Sequence, residues 1–181
     1  KNFESKNSHF IIGFKTHQLK GESRGAIDII NNLLGGSFAG RLIDRLRDEG
    51  GYIFNWEIGQ ERLIDAGYIF FKSACNSSNL TKVIKIICEE LNKMKLGKIE
   101  KEELLTAKNQ AIGNLSLNTE TTDDYCRWYG TQEFFMERVR GMDEEVEIYK
   151  SISTEKIHVI SQKHFRFDNC YLAVLGKGEE N

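Results

Sequence analysis

The residues best suited to chemistry lie in one stretch, RLIDRLRDEGGYIFNW, where Arg41, Arg45 and Arg47 run into Tyr52, Phe54 and Trp56. A guanidinium is a planar fork of donors that matches carbonyl and carboxylate oxygens. Arg47, at a helix end beside an aromatic strand, could present that fork to a substrate carbonyl or carboxylate. Asp44 and Asp48 stand close enough to the arginines for helix-surface ion pairs, each contributing roughly 0.3 kcal/mol. A solvated charged face is therefore the competing reading of the same residues.

Other chemistries find less support. Cys75, Cys88, Cys126 and Cys170 are scattered with no CxxC pair, which reads as buried reduced thiols rather than a disulfide framework or a zinc site. His9, His17, His158 and His164 form no HExxH or HxxEH, and the last two, six apart, fall on opposite sides of a helix. They read as surface or helix-end residues, and no metal site is expected in this chain. Gly35-Gly36 joins two helices and lacks the GxxxxGK[ST] and GxGxxG patterns, so it reads as a helix stop, and Ser37 has no nucleophile elbow around it. Glu102/Glu103, Asp123/Asp124 and Glu144/Glu145 sit at helix starts, where capping and solvation explain them.

The elements that would position these groups follow from hydrophobic period and stop signals. Residues 9–14 form a short apolar run, read as a buried strand. Ile27, Ile30, Leu33 and Leu34 make one helical stripe that ends at Gly35-Gly36. Ser37 is a cap candidate for a second helix carrying Phe38, Leu42 and Leu46, stopped by Gly50-Gly51. In 52–60, Tyr52, Phe54, Trp56 and Ile58 alternate with the other residues, which predicts a strand with one aromatic face. A second strand over 66–75 pairs with it antiparallel. Helices are expected over 79–96, from 99 to about 118, from the Thr121–Asp124 cap through Phe135, and over 143–151 and 154–165, the last with Ser153 as cap. Residues 170–175 close the chain as a strand.

Strand, two helices, two strands, several helices, strand is the order of a two-layer α+β fold, with a largely antiparallel sheet covered by helices on one face. One domain over 1–181 is expected, without internal repeats. The balance of 25 Lys+Arg against 27 Asp+Glu gives −2, which supplies no positive footprint for nucleic acid. No apolar stretch reaches the roughly 18 residues that span a bilayer, and the first residues lack the apolar run of a signal peptide. The chain has no proline, consistent with long uninterrupted helices.

Four stretches in order resemble a known family. Residues 33–42, LLGGSFAGRL, followed by Leu46-Arg47-Asp48-Glu49-Gly50-Gly51, are similar to the LLGGG-x-x-SRL…REKxGLAY stretch of the pitrilysin, insulysin and mitochondrial-processing-peptidase zinc metallopeptidases. Residues 99–110, IEKEELLTAKNQ, resemble their "vteeELxrAKxq" helix; 152–157, ISTEKI, resembles "vTxedi"; and 170–176, CYLAVLG, resembles the closing "lavvG" strand. The resemblance implies the second, metal-free domain of such a peptidase. Zinc would then be held by an HxxEH-bearing domain or subunit outside this chain, and the chain alone would be inactive. The chain would form part of a chamber wall around a peptide substrate. The family's substrate-binding Arg corresponds to Arg47. Its Tyr falls on Phe54 in contiguous alignment, which loses the hydroxyl, or on Tyr52 if a two-residue gap is allowed. A non-catalytic partner or scaffold subunit of the same family is the alternative reading. A small-ligand-binding α+β domain is a third.

Overall fold

The computed structural model describes residues 6–16, 23–36 and 39–176. Strand β1 (Asn7–Thr16) lies between β3 (Gly67–Asn76) and β4 (Cys170–Leu175), and β2 (Ile53–Arg62) pairs on the far side of β3. Every pairing is antiparallel, in the order β2-β3-β1-β4. The helices are α1 (Arg24–Leu34), α2 (Arg41–Ile43), α3 (Leu80–Lys95), α4 (Lys101–Leu117), α5 (Thr122–Phe135), α6 (Met142–Ser151) and α7 (Thr154–His164). This is the α+β sheet-and-helix architecture expected from the element order. Ser37, Phe38 and His17 lie outside the described residues.

Register decides which side chains meet the helices. Phe10, Ile12 and Phe14 stand opposite Ser73, Phe71 and Ile69, and all six are buried on the helix-covered face. Against them pack Ile29 and Ile30 of α1, Leu42 and Leu46, Val83 and Ile87 of α3, and Ile157 of α7. Removing apolar surface of this kind from water stabilises by about 2 kcal/mol for each fully buried large aliphatic side chain. The opposite face carries His9, Ile11, Gly13 and Lys15 of β1, and no described helix covers it. The apolar run read as a buried strand is therefore buried on one side only, and Ile11 is 38% exposed.

β4 departs further from expectation. Leu172 and Val174 have the register of core-facing residues, opposite Ile12 and Phe10. Yet both are about half-exposed, because the helix layer stops short of this edge strand.

The helix ends follow local chemistry. Gly35 takes φ 124° as the C-cap of α1, and Gly97 takes φ 70° after α3, a backbone region that glycine enters without a Cβ clash. Thr121 and Asp124 form a reciprocal capping box at α5, and Ser153 Oγ accepts from the Lys156 amide at 3.2 Å at α7. α5 itself is thinly packed: Gln132 is its one buried residue, and Phe134 is 86% exposed.

The thiols differ from expectation in the same region. Cys75 is buried, Cys88 and Cys170 are half-buried, and Cys126 on α5 is exposed, so burial does not hold for all four. Burial raises the Cys75 thiol pKa above its ordinary value. Under native conditions a maleimide should label Cys126 first, and Cys75 only after unfolding. Mass spectrometry of a timed labelling series checks the order, and early modification of Cys75 would contradict this packing.

Candidate functional site

α2 does not continue as a regular α-helix. From Asp44 to Asp48 it widens into π-helical winding, with the Glu49 amide donating to the Asp44 carbonyl at 2.8 Å. Leu46, fully buried, anchors this turn, and its carbonyl accepts from the Tyr52 amide at 2.8 Å. Gly51, at φ 56°, reverses the chain so that the strand returns beside the helix end that holds Arg47.

Arg47 lies at the surface with its guanidinium over the Trp56 ring, 4.6 Å from the centroid. Asp48 takes its side edge, Nε to Oδ1 at 2.5 Å and Nη2 to Oδ2 at 3.0 Å. This hydrogen-bonded pairing raises the Arg47 pKa and lowers that of Asp48. Both groups stay charged at neutral pH.

The other arginines do not form the expected solvated face with Asp44 and Asp48. Arg41 donates through Nε and Nη2 to Glu103 at 2.5 and 2.7 Å, and through Nη2 to the Lys98 carbonyl at 2.6 Å. Arg45 reaches Glu90 at 2.6 Å and Glu89 at 3.1 Å. Sequence-adjacent aspartates were the visible partners, but the glutamates of α3 and α4 are brought in by folding. These two arginines therefore fasten the Arg47-bearing segment to the helix layer.

The expected aromatic face of β2 is corrected. Ile53 pairs with Cys75 and Asn55 with Ala74, so Phe54 is the extra residue of a β-bulge. The bulge lets Ile53 and Ile58, of opposite parity, both reach the core, and Ser73 Oγ donates to the Asn55 carbonyl beside it at 2.5 Å. Trp56 and Ile58 face the helix side. Phe54 is 61% exposed. Tyr52 precedes the strand, packs toward Gly50, and accepts from Lys82 Nζ through its hydroxyl at 2.5 Å. Tyr52 and Phe54 therefore do not share one regular strand face. Among the described residues, no hydrogen bond, ion pair or ring contact joins Arg47 to either of them. The ion pair of Arg47 with Asp48 was expected from their proximity in the chain, whereas Trp56 and Lys82 are neighbours that sequence reasoning did not assign to these residues.

The uncovered sheet face forms a trough. One part, about 780 Å³, is lined by Ile11, Gly13, Tyr68, Phe70 and Tyr171 among others. The adjoining part, about 530 Å³, runs past His9, Glu57, Lys72 and Leu175. The Phe70 ring lies over Gly59, where an added Cβ would come within 2.5 Å of it. Lys72 and Glu57 pair across the strands at 2.9 Å.

The described residues do not fit zinc. Among the described residues no group of three or more His, Cys, Asp or Glu could hold a metal. His9 lies on the open face, His158 lies beside Gly97, and His164, buried at the end of α7, uses Nδ1 with the Lys15 carbonyl at 3.0 Å. No helix among them is long and apolar enough to cross a membrane.

The family model described as the peptidase M16 inactive domain matches residues 1–111. The chain belongs to the M16 inactive-domain family. It is 24% identical over 175 residues to the uncharacterized zinc protease YmxG of Bacillus subtilis, covering 97% of this chain and 43% of that protein. To the uncharacterized zinc protease ML0855 of Mycobacterium leprae it is 21% identical over 160 residues, covering 88% and 36%. The chain thus spans less than half the length of these curated relatives. In fold, the M16 domain resembles the crystal structure of a peptidase M16 inactive domain from Pseudomonas fluorescens, with TM-score 0.87, 16% identity and 98% of this chain and 43% of that one covered. It also resembles a protease from Helicobacter pylori, with TM-score 0.83, 18% identity and coverage of 97% and 42%.

Proposed function

We propose that this M16 domain is the metal-free part of a longer zinc metalloendopeptidase, and that it walls a chamber in which a partner domain cleaves peptides. Residues 1–181 are taken as one domain of that protein. The observation that carries the reading is the bare sheet face. β1 is apolar on both faces over residues 10–14 yet covered on one, and β4 is apolar along its length yet left exposed. A trough of Ile11, Tyr68, Phe70 and Tyr171 suits an extended peptide lying against the wall. Zinc belongs to the HxxEH-bearing domain or subunit in this reading. The present chain would contribute enclosure, with Arg47 and Phe54 as substrate contacts and Tyr52 as the alternative to Phe54.

The test is cleavage of a short internally quenched peptide by the full-length protein. Arg47→Ala should lower kcat/KM about tenfold, the scale of one charge-assisted hydrogen bond to substrate. An unchanged kcat/KM removes Arg47 from the mechanism.

A second reading, a non-catalytic partner or scaffold subunit, is favoured by one arrangement. Phe54, on which the family's Tyr position falls in contiguous alignment, has no hydroxyl to give. The rest of the full-length protein's sequence separates the readings. HxxEH there supports the peptidase, and its absence supports the partner subunit.

A further inference from the structure

We infer that Trp56 and Asp48 are positioning residues that hold Arg47 in one pose and leave the end of its guanidinium for a peptide carbonyl; the inference rests on the reading of Arg47 as a substrate contact. A guanidinium has five N–H groups, two pairs of which can face an acceptor. Asp48 takes the side pair, Nε–H and one Nη2–H. The Trp56 ring, 4.6 Å away, covers one flat face. Among the described residues nothing accepts from Nη1, so the end pair, one Nη1–H and the second Nη2–H, points away from the clamp.

A free arginine on the surface would lose rotamer freedom on engaging a substrate. Here the stack and the ion pair have already removed much of it, so binding requires less ordering. Electrostatics points to the kind of acceptor. Asp48 already matches the Arg47 charge, and Asp44 acts on it as well. A second carboxylate would meet those like charges, whereas a neutral carbonyl needs only the two exposed donors. Trp56 is fixed in turn by its place on β2 opposite Ser73, with its ring partly buried against the core.

The experiment is a double-mutant cycle in the full-length protein, read on cleavage of a short internally quenched peptide, or on anisotropy of the same peptide labelled with fluorescein if no variant cleaves it. Trp56→Leu should raise KM, or Kd, about fivefold with kcat little changed, and Trp56→Phe, which keeps a cation–π face, should stay within about twofold. Asp48→Ala should weaken binding about threefold. In an Arg47→Ala background both effects should vanish, because residues that act only through Arg47 cannot act without it. Amidating the peptide's C-terminus should leave every value unchanged, and a marked loss on amidation would assign the ligand as a carboxylate and overturn the carbonyl. If Trp56→Leu costs the same factor with and without Arg47, its role is packing and the clamp is wrong. If Arg47→Ala weakens binding while Trp56→Leu does not, the clamp fails and Arg47 stands as a substrate contact. If Arg47→Ala itself changes nothing, the substrate-contact reading fails and takes the clamp with it.

Discussion

Gly40→Ala should destabilise the domain by more than about 3 kcal/mol, the sum of a strained backbone conformation and an overlap that cannot relax. Gly40 precedes α2 at φ 147° and ψ 162°, a region open essentially to glycine. A Cβ there would stand 2.5 Å from both Cα and N of Gly35 and 2.9 Å from the carbonyl carbon of Leu34. All three are backbone atoms, and Gly35 is itself fixed at φ 124° by the end of α1. The close approach lets α2 begin directly against the end of α1, which sets where Leu42, Ile43 and Leu46 enter the core. Arg47 follows from that placement. Gly113→Ala is the matched control: it lies inside α4, an added Cβ meets nothing within 4 Å, and the change should stabilise by about 0.5–1 kcal/mol. Urea denaturation of both variants checks the pair. A Gly40→Ala protein as stable as its parent would show that the α1–α2 junction has a different geometry.

Arg24→Met should cost about 3–5 kcal/mol, because it leaves a buried carboxylate without its nearest cation. Glu145 is 1% exposed and pairs with Arg24 across the contact between α6 and α1. Among the described residues its other oxygen has only Arg140 at 4.0 Å. Beside this pair, Asp28 accepts from Gln60, from Arg62 and from the Tyr149 hydroxyl, the last at 2.9 Å. Burial, then the charge of Asp28, raises the Tyr149 pKa well above the usual phenol range, so it remains a donor at neutral pH. The two groups together tie α1, α6 and the end of β2. The double variant Arg24→Met/Glu145→Leu should recover most of the loss, since an apolar pair needs no compensation for a lost charge. Thermal melts of the single and double variants measure this. A single variant within about 1 kcal/mol of the parent would mean that Arg140 or water compensates Glu145.

Local chemistry made much of the fold legible. Gly35, Gly51 and Gly97 end helical segments because glycine opens backbone regions that other residues avoid, and the caps at Thr121 and Ser153 need only residues three positions away. Period sufficed for α1, α3 and the strands as elements. The candidate site was legible in part. Arg47 lay beside an aromatic strand as expected, while the single aromatic face was not realised. Alternation assumes one residue per pairing step, and the bulge at Phe54 arises from the match to β3, which no window within β2 contains. Arg41 and Arg45 offered Asp44 and Asp48 as partners because those are adjacent in sequence. Their actual partners, Glu103, Glu89 and Glu90, are more than forty residues away and adjacent only after α3 and α4 have packed.

The sequence by itself determined most of the elements, several of their ends and the family to which the chain belongs, because each depends on residues close together along the chain or on motifs in fixed order. The tertiary structure decided which face of each strand is covered, that Glu145 is buried rather than solvated, and that Trp56 lies under Arg47. Those outcomes depend on register between strands and on helix packing, where one inserted residue exchanges inside for outside and distant charges become neighbours.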